Sequence, residues 1–267
     1  DLHRLIRRQR QMCIRDSKYI TQVEEEVRTL TGYKFDQYNE NGKIPWYETN
    51  AYSTNVTLQS KMNTISSAYS ELSKSKSEYV QFYMKNHEQI PTWIMIKVVN
   101  FSTFIDVLQN SKTNVTHAIC KLYSMYDDNN LPNVKLLIGS LHWLRRVRNS
   151  CAHNERVFCI HQTQARNNSA SGRILDPYYA QLPTSYSRCT EKNIFDILVY
   201  FKYFLPKEEF APMIMELKNM LIELQGTLQP NAFDNVRGQM GIKNLSVLDT
   251  LISLPKSKIE YHKFDTL

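Results

Sequence analysis

The sequence predicts an all-α fold, and three observations carry that prediction. Apolar residues recur at intervals of three and four along most of the chain, which is the spacing of one face of a helix. Seven glycines and nine prolines are few for 267 residues, so long uninterrupted elements are permitted. A hydrophobic content of 42% suffices to bury a substantial core, as one large domain or two small ones.

Taken in order, the periods place the elements. Tyr19 to Tyr38 reads as a helix with Ile20, Val23, Val27 and Leu30 on one face and Glu24, Glu25 and Glu26 partly on the other. Gly42 and Pro45 break it, and the pair Trp46 and Tyr47 is expected to pack the following loop down. Thr57 to Leu72 predicts a second helix through Leu58, Met62, Ile65, Tyr69 and Leu72, and the tract SKSKSEY starts another that ends near Lys85. Pro91 suits a helix start, and Trp93, Ile96, Phe101, Phe104, Ile105 and Leu108 make the segment after it the most apolar, expected as one central core helix. Thr113 to Tyr126 gives a shorter helix, then the loop DDNN, and Pro132 opens the next.

That next helix, expected over residues 133–158, is followed by the polar tract HQTQARNNSASGR, a candidate mobile loop that could close over a substrate or be an ordinary surface loop. Thr190 would cap a helix carrying Ile194, Ile197, Leu198, Phe201 and Phe204 and ending before Pro206. Glu208 to Leu224 gives another, stopped by Gly226, and one more short helix is expected near Leu245 to Leu251. The organisation expected is a basic extension over 1–18, one helical domain over 19–252 and a polar tail over 253–267.

The stretch LLIGSLHWLRRVRNSCAHNERVFCI, Leu136 to Ile160, organises the rest. Leu137, Leu141 and Leu144 define a buried face, and one turn further on the next position is Arg148. A guanidinium cannot shed its proton to escape burial, so Arg148 must meet a counter-anion, a wet cleft or a partner surface. Asn149 follows directly, and His153 lies five residues on. Taken singly, Arg148 would serve as a buried ion pair or a helix cap, Asn149 as a cap, and His153 as a satisfied surface or core residue.

Arg, a polar residue, three further residues and His resembles the signature of the HEPN superfamily of helical domains, many of which are metal-independent RNA endonucleases. Arg156 and His161 repeat the spacing, with Val157 where the polar residue should stand. The longer strings LHWLRRVRN, CAHNERV and IPTWIMIKVVNFSTF resemble the abortive-infection phage-resistance family of bacteria, of the AbiD/AbiF type. The resemblance runs from about Glu24 to Ile242; before about Ser17 no family string is found, and family members carry a further N-terminal region.

The resemblance implies a HEPN-like helical bundle with additional helices before and after the motif helix. It implies a homodimeric endoribonuclease without a metal cofactor, in which Arg148 meets the scissile phosphate, His153 transfers protons and Asn149 orients the phosphate or the imidazole. Arg145, Arg146 and Arg156 are candidates for RNA-backbone contacts. The chemistry is consistent, because transfer of a ribose 2′-hydroxyl onto its own phosphodiester needs a base, an acid and positive charge on the phosphorane. One His cannot comfortably be both acid and base, and residues five apart on a helix point about 140° from each other. Two chains meeting at this helix would supply a pair of each residue to one cleft. Two other classes stay open: an RNA-binding module without catalysis, and a component of a toxin–antitoxin pair that binds protein.

Cys151, His153, Cys159 and His161 form two C-x-H pairs of the kind zinc favours, but residues two apart on a helix point some 200° from each other and do not converge. Cys151 and Cys159 are read instead as small core residues. Five cysteines at irregular gaps argue against a disulfide framework and for a reducing compartment. The N-terminal DLHRLIRRQRQMCIRDS lacks the apolar core of a signal peptide, and no later run approaches membrane-spanning length, so a cytoplasmic protein is expected. A net charge of +7 and a pI near 9.0 suit a polyanionic partner, RNA here, without singling it out.

Overall fold

The computed structural model describes residues 2–153, 155–163, 177–183, 186 and 191–255. Thr190, most of the polar tract after His161 and the tail beyond residue 255 lie outside these residues, as do the expectations placed on them. The architecture is all-α, with a two-residue antiparallel pair, β1 (Gln162–Thr163) and β2 (Glu191–Lys192), in the register Gln162 to Lys192. The chain divides into two compact units, residues 22–122 and residues up to 21 together with those from 123.

In the unit 22–122, α1 (Leu2–Tyr38) contributes its second half, with Val23, Val27, Leu30 and Phe35 buried. Glu24, expected on the polar side, is buried as well: Arg28 donates to its carboxylate at 2.7 Å and to the carbonyls of Ile96 and Val99 at 2.6 and 2.9 Å. The break after α1 falls where Gly42 adopts φ +82°, a left-handed conformation that costs glycine little. Trp46 is buried in the loop that follows and donates its indole N–H to the carbonyl of Ile90 at 2.8 Å.

α2 (Leu58–Lys74), capped by Thr57, occupies the expected stretch with a different face inward. Thr64, Ala68 and Leu72 are buried while Leu58, Met62 and Tyr69 are exposed. The inward face carries polar contacts as well as apolar ones: Asn110 donates to Thr64 at 2.8 Å, a pairing hydropathy alone does not reveal. α3 (Glu78–Asn86) follows. The expected single core helix is two, α4 (Thr92–Val98) and α5 (Phe101–Asn110). Val99 ends the first, Asn100 caps the second by accepting from the Thr103 N–H, and the Glu71 carboxylate accepts from both the Asn100 backbone N–H and the Thr103 hydroxyl. Trp93, expected in the core, is exposed. α6 (Thr113–Leu122) ends the unit, four residues before the expected stop.

In the other unit, Asn133 rather than Pro132 opens α7 (Val134–Ala152), its side chain accepting from the Leu136 N–H at 3.0 Å. α7 ends six residues short of the expected boundary. A short helical turn α8 (Pro177–Ala180) follows the β1 region, and α9 (Ile194–Phe204) is buried along its whole length. Its N-terminus is a capping box of Asn193 and Asp196, so Asn193 takes the place expected of Thr190. α10 (Lys207–Thr227) runs through Gly226 instead of stopping there. Where one short helix was expected near the end there are two, α11 (Pro230–Gln239) and α12 (Ser246–Ser253).

Candidate functional site

α7 is positioned by the face it buries. Leu137, Leu141, Leu144 and Val147 are fully buried, and Ser150 nearly so. The buried stripe therefore steps from Leu144 to Val147, three residues on, and Arg148, expected on that stripe, is exposed one position beyond it. Burial of its charge is thus avoided by the rotation of the helix. Trp143 locks the helix further, donating its indole N–H to the carbonyl of Asn193 at 3.0 Å.

The C-terminal end of α7 is organised by three short-range hydrogen bonds. His153 caps the helix at φ −90° and ψ 7°, its N–H donating to the Asn149 carbonyl at 3.0 Å. Glu155 then turns back, its N–H donating to the Ser150 carbonyl at 2.9 Å while its carboxylate accepts from the Ser150 hydroxyl at 2.6 Å. His153 is consequently held at a fixed reversal of the chain with its imidazole exposed, and among the described residues the ring makes no hydrogen bond.

A groove of about 570 Å³ runs along this face of α7, lined by Gly139, His142, Arg145, Arg146, Asn149, His153 and Glu155, with Lys192 reaching in from β2. Of the expected site residues, Asn149, His153, Arg145 and Arg146 meet there. Arg148 is not among the lining residues; it lies on the adjacent flank and donates to the Asn149 side-chain carbonyl at 3.3 Å. Arg146 also donates to the His161 carbonyl at 3.3 Å and sits 5.5 Å from the Trp143 ring centroid. Arg156, exposed in the segment after the helix, is outside the groove.

Sequence reasoning missed His142 and Lys192. His142 was within reach, because 142, 146, 149 and 153 repeat at helical spacing as a polar stripe. Lys192 carried no such signal, since only the chain fold brings it to α7.

Residues 4–159, more than half of the chain, match the family described as Abi-like protein. The chain belongs to this abortive-infection family. The match starts at residue 4, so the basic N-terminal segment, expected to fall outside the family pattern, lies inside it. No match is found among curated proteins or among solved structures. Because the Abi-like region closes at residue 159, it includes all of α7 and His153 but not Lys192.

The described cysteines of this Abi-like chain, Cys120, Cys151 and Cys159, do not line the groove. Cys120 is buried, and burial pushes its thiol up to about 12, which leaves it inert. Cys151 and Cys159, expected in the core, are only half-buried; Cys159 donates to the Gln239 side-chain carbonyl at 3.0 Å, and burial raises its thiol although the Arg156 guanidinium pulls the other way. Among the described residues no three His, Cys, Asp or Glu side chains are grouped as a metal ion would need, and no helix is long and apolar enough to cross a membrane.

Proposed function

We propose that this Abi-like protein is a metal-independent endoribonuclease of HEPN type that acts in abortive infection, the defence of bacteria against phage. The observation that carries the reading is the pairing of Asn149 and His153 on one exposed groove face of α7, with the Arg148 guanidinium bonded to the Asn149 side chain. A fixed cation, an amide and an imidazole at the end of a rigid helix are the parts that phosphodiester transfer requires.

In the proposed reaction a ribose 2′-hydroxyl attacks the adjacent phosphorus. Its proton passes to one His153 imidazole, the P–O5′ bond breaks, and a second imidazole donates a proton to the departing 5′-oxygen. The products are a 2′,3′-cyclic phosphate and a 5′-hydroxyl. Arg148 neutralises the charge that builds on the phosphorane oxygens through its planar fork of donors, and Asn149 holds Arg148 in position. The second imidazole is that of a second copy of the chain, the two α7 termini meeting across a two-fold axis; Arg148 on the flank of α7 then reaches a cleft that its own groove does not contain.

Incubation of purified protein with end-labelled RNA in EDTA, with and without His153→Ala, tests the reading. Cleavage in EDTA that falls on the order of a hundredfold or more in the variant is expected. Cleavage that needs a divalent ion, or that His153→Ala leaves unchanged, overturns it.

A further inference from the structure

We infer that the head of the α7 groove is a second phosphate-binding subsite, in which Lys192 and His142 hold the RNA strand several nucleotides away from the bond at which His153 acts. This rests on the cleavage reading above and deepens it.

The groove is longer than one phosphodiester. From His142 to His153 is eleven residues of helix, or ~16 Å at the α-helical rise, which spans about four or five phosphates of a stacked strand. The lining along that length is cationic, with Lys192 at the head and Arg145 and Arg146 between. The carboxylate in the lining, Glu155, lies at the His153 end and is engaged by Ser150.

Lys192 is built into the head of the groove. Its ammonium lies 3.7 Å from where a Cβ on Gly139 would be, so the bare helix surface at Gly139 lets the charge approach α7 closely. The backbone that carries it is fixed on both sides: Lys192 pairs with Gln162 in the β1–β2 ladder, and the next residue, Asn193, accepts the Trp143 indole N–H at 3.0 Å while capping α9. The Tyr200 ring lies 5.6 Å from the ammonium and holds it from the inner side. A compact ammonium in this setting binds phosphate as a point charge, without demanding a particular base. His142, three residues on from Gly139, lines the same stretch of the groove.

The test is equilibrium binding of a fluorescein-labelled twelve-nucleotide oligouridylate, read by anisotropy from 50 to about 300 mM salt, in the full chain carrying His153→Ala to silence cleavage. Adding Lys192→Ala is expected to weaken binding several-fold and to reduce the slope of log K against log salt by about 0.7, the value of one phosphate contact on a single strand. Lys192→Arg is expected to restore both. Gly139→Glu, which places a carboxylate beside Lys192 without touching the β1–β2 pair and raises helix propensity at that position, is expected to reproduce the loss. Salt-dependent binding that neither Lys192→Ala nor Gly139→Glu alters overturns the subsite and leaves the cleavage reading standing. Absence of any salt-dependent binding overturns both.

Discussion

The backbone N–H of His153 donates to the carbonyl oxygen of Asn149 at 3.0 Å, so two residues of the proposed site also close the last hydrogen bond of α7. Backbone atoms do the structural work there and side chains are left for chemistry. Replacing either side chain therefore removes a functional group without removing the helix end.

That separation makes a mixing experiment interpretable. If two His153 imidazoles divide the proton transfers, a dimer with one of them missing is inactive. Wild-type protein exchanged to equilibrium with an equal amount of His153→Ala is expected to show about a quarter of the RNA-cleaving activity of the same total amount of wild-type protein rather than about a half. Retention of half would place a complete site in each chain.

Arg28 and Glu24 form an ion pair with side chains about one-tenth exposed, and Arg28 also serves the Ile96 and Val99 carbonyls at the end of α4. Arg28→Ala leaves a buried carboxylate and two carbonyls without their donor, and is expected to cost about 3–5 kcal/mol in urea unfolding. Glu24→Leu combined with Arg28→Met is expected to cost less, because no charge is stranded. A double variant as unstable as Arg28→Ala would show that the carbonyls, and not the ion pair, carry the energy.

Gly241 holds φ +78°, and a Cβ there would overlap the Asn193 carboxamide. Gly241→Ala is expected to lower stability by more than about 2 kcal/mol, since it adds backbone strain to a steric clash at the cap of α9. Trimming the neighbour with Asn193→Gly should then cost little more, because the overlap is gone. Additive losses in thermal unfolding would contradict the contact.

Lys202 is buried, donates to the Leu251 carbonyl at 2.7 Å, and is pulled down to about 8 by burial and then by the Lys207 ammonium. In the unfolded chain its value returns to near 10.4. Between these two values the unfolded state binds the extra proton, so unfolding free energy rises with pH. The Lys202 contribution to this rise is about 1–2 kcal/mol from pH 8 to about 9.5. It is read as the difference between wild-type protein and Lys202→Met in denaturant titrations at fixed pH, because the Cys120 thiol and the tyrosines titrate alike in both.

Much of the fold was legible along the chain because helical periodicity is a local property. The second half of α1 and the helices α2, α7, α9 and α10 lie where their apolar periods put them, while α1 itself begins at Leu2, ahead of the expected Tyr19. Periodicity does not say which of two candidate faces turns inward, and at α2 it chose wrongly: Leu58, Met62 and Tyr69 keep the period yet face out, since a hydrogen bond between Asn110 and Thr64 lies on the other side. Boundaries failed for a related reason, as at Asn100, where a side-chain cap and a carboxylate from α2 split an apolar run into α4 and α5.

By itself the amino-acid order determined the all-α class, the family strings and the grouping of Arg148, Asn149 and His153 at one helix end, because these depend on residues within a few turns of one another. Only the tertiary structure decided that Arg148 is exposed beside the groove while Asn149 and His153 line it, because that depends on whether the buried stripe of α7 advances by three residues or by four. The arrival of Lys192 at Gly139 was likewise beyond local reading. It is set by β1 pairing with β2 and by Trp143 holding the Asn193 carbonyl, contacts between segments far apart along the chain, whose partners are chosen by packing and not by spacing.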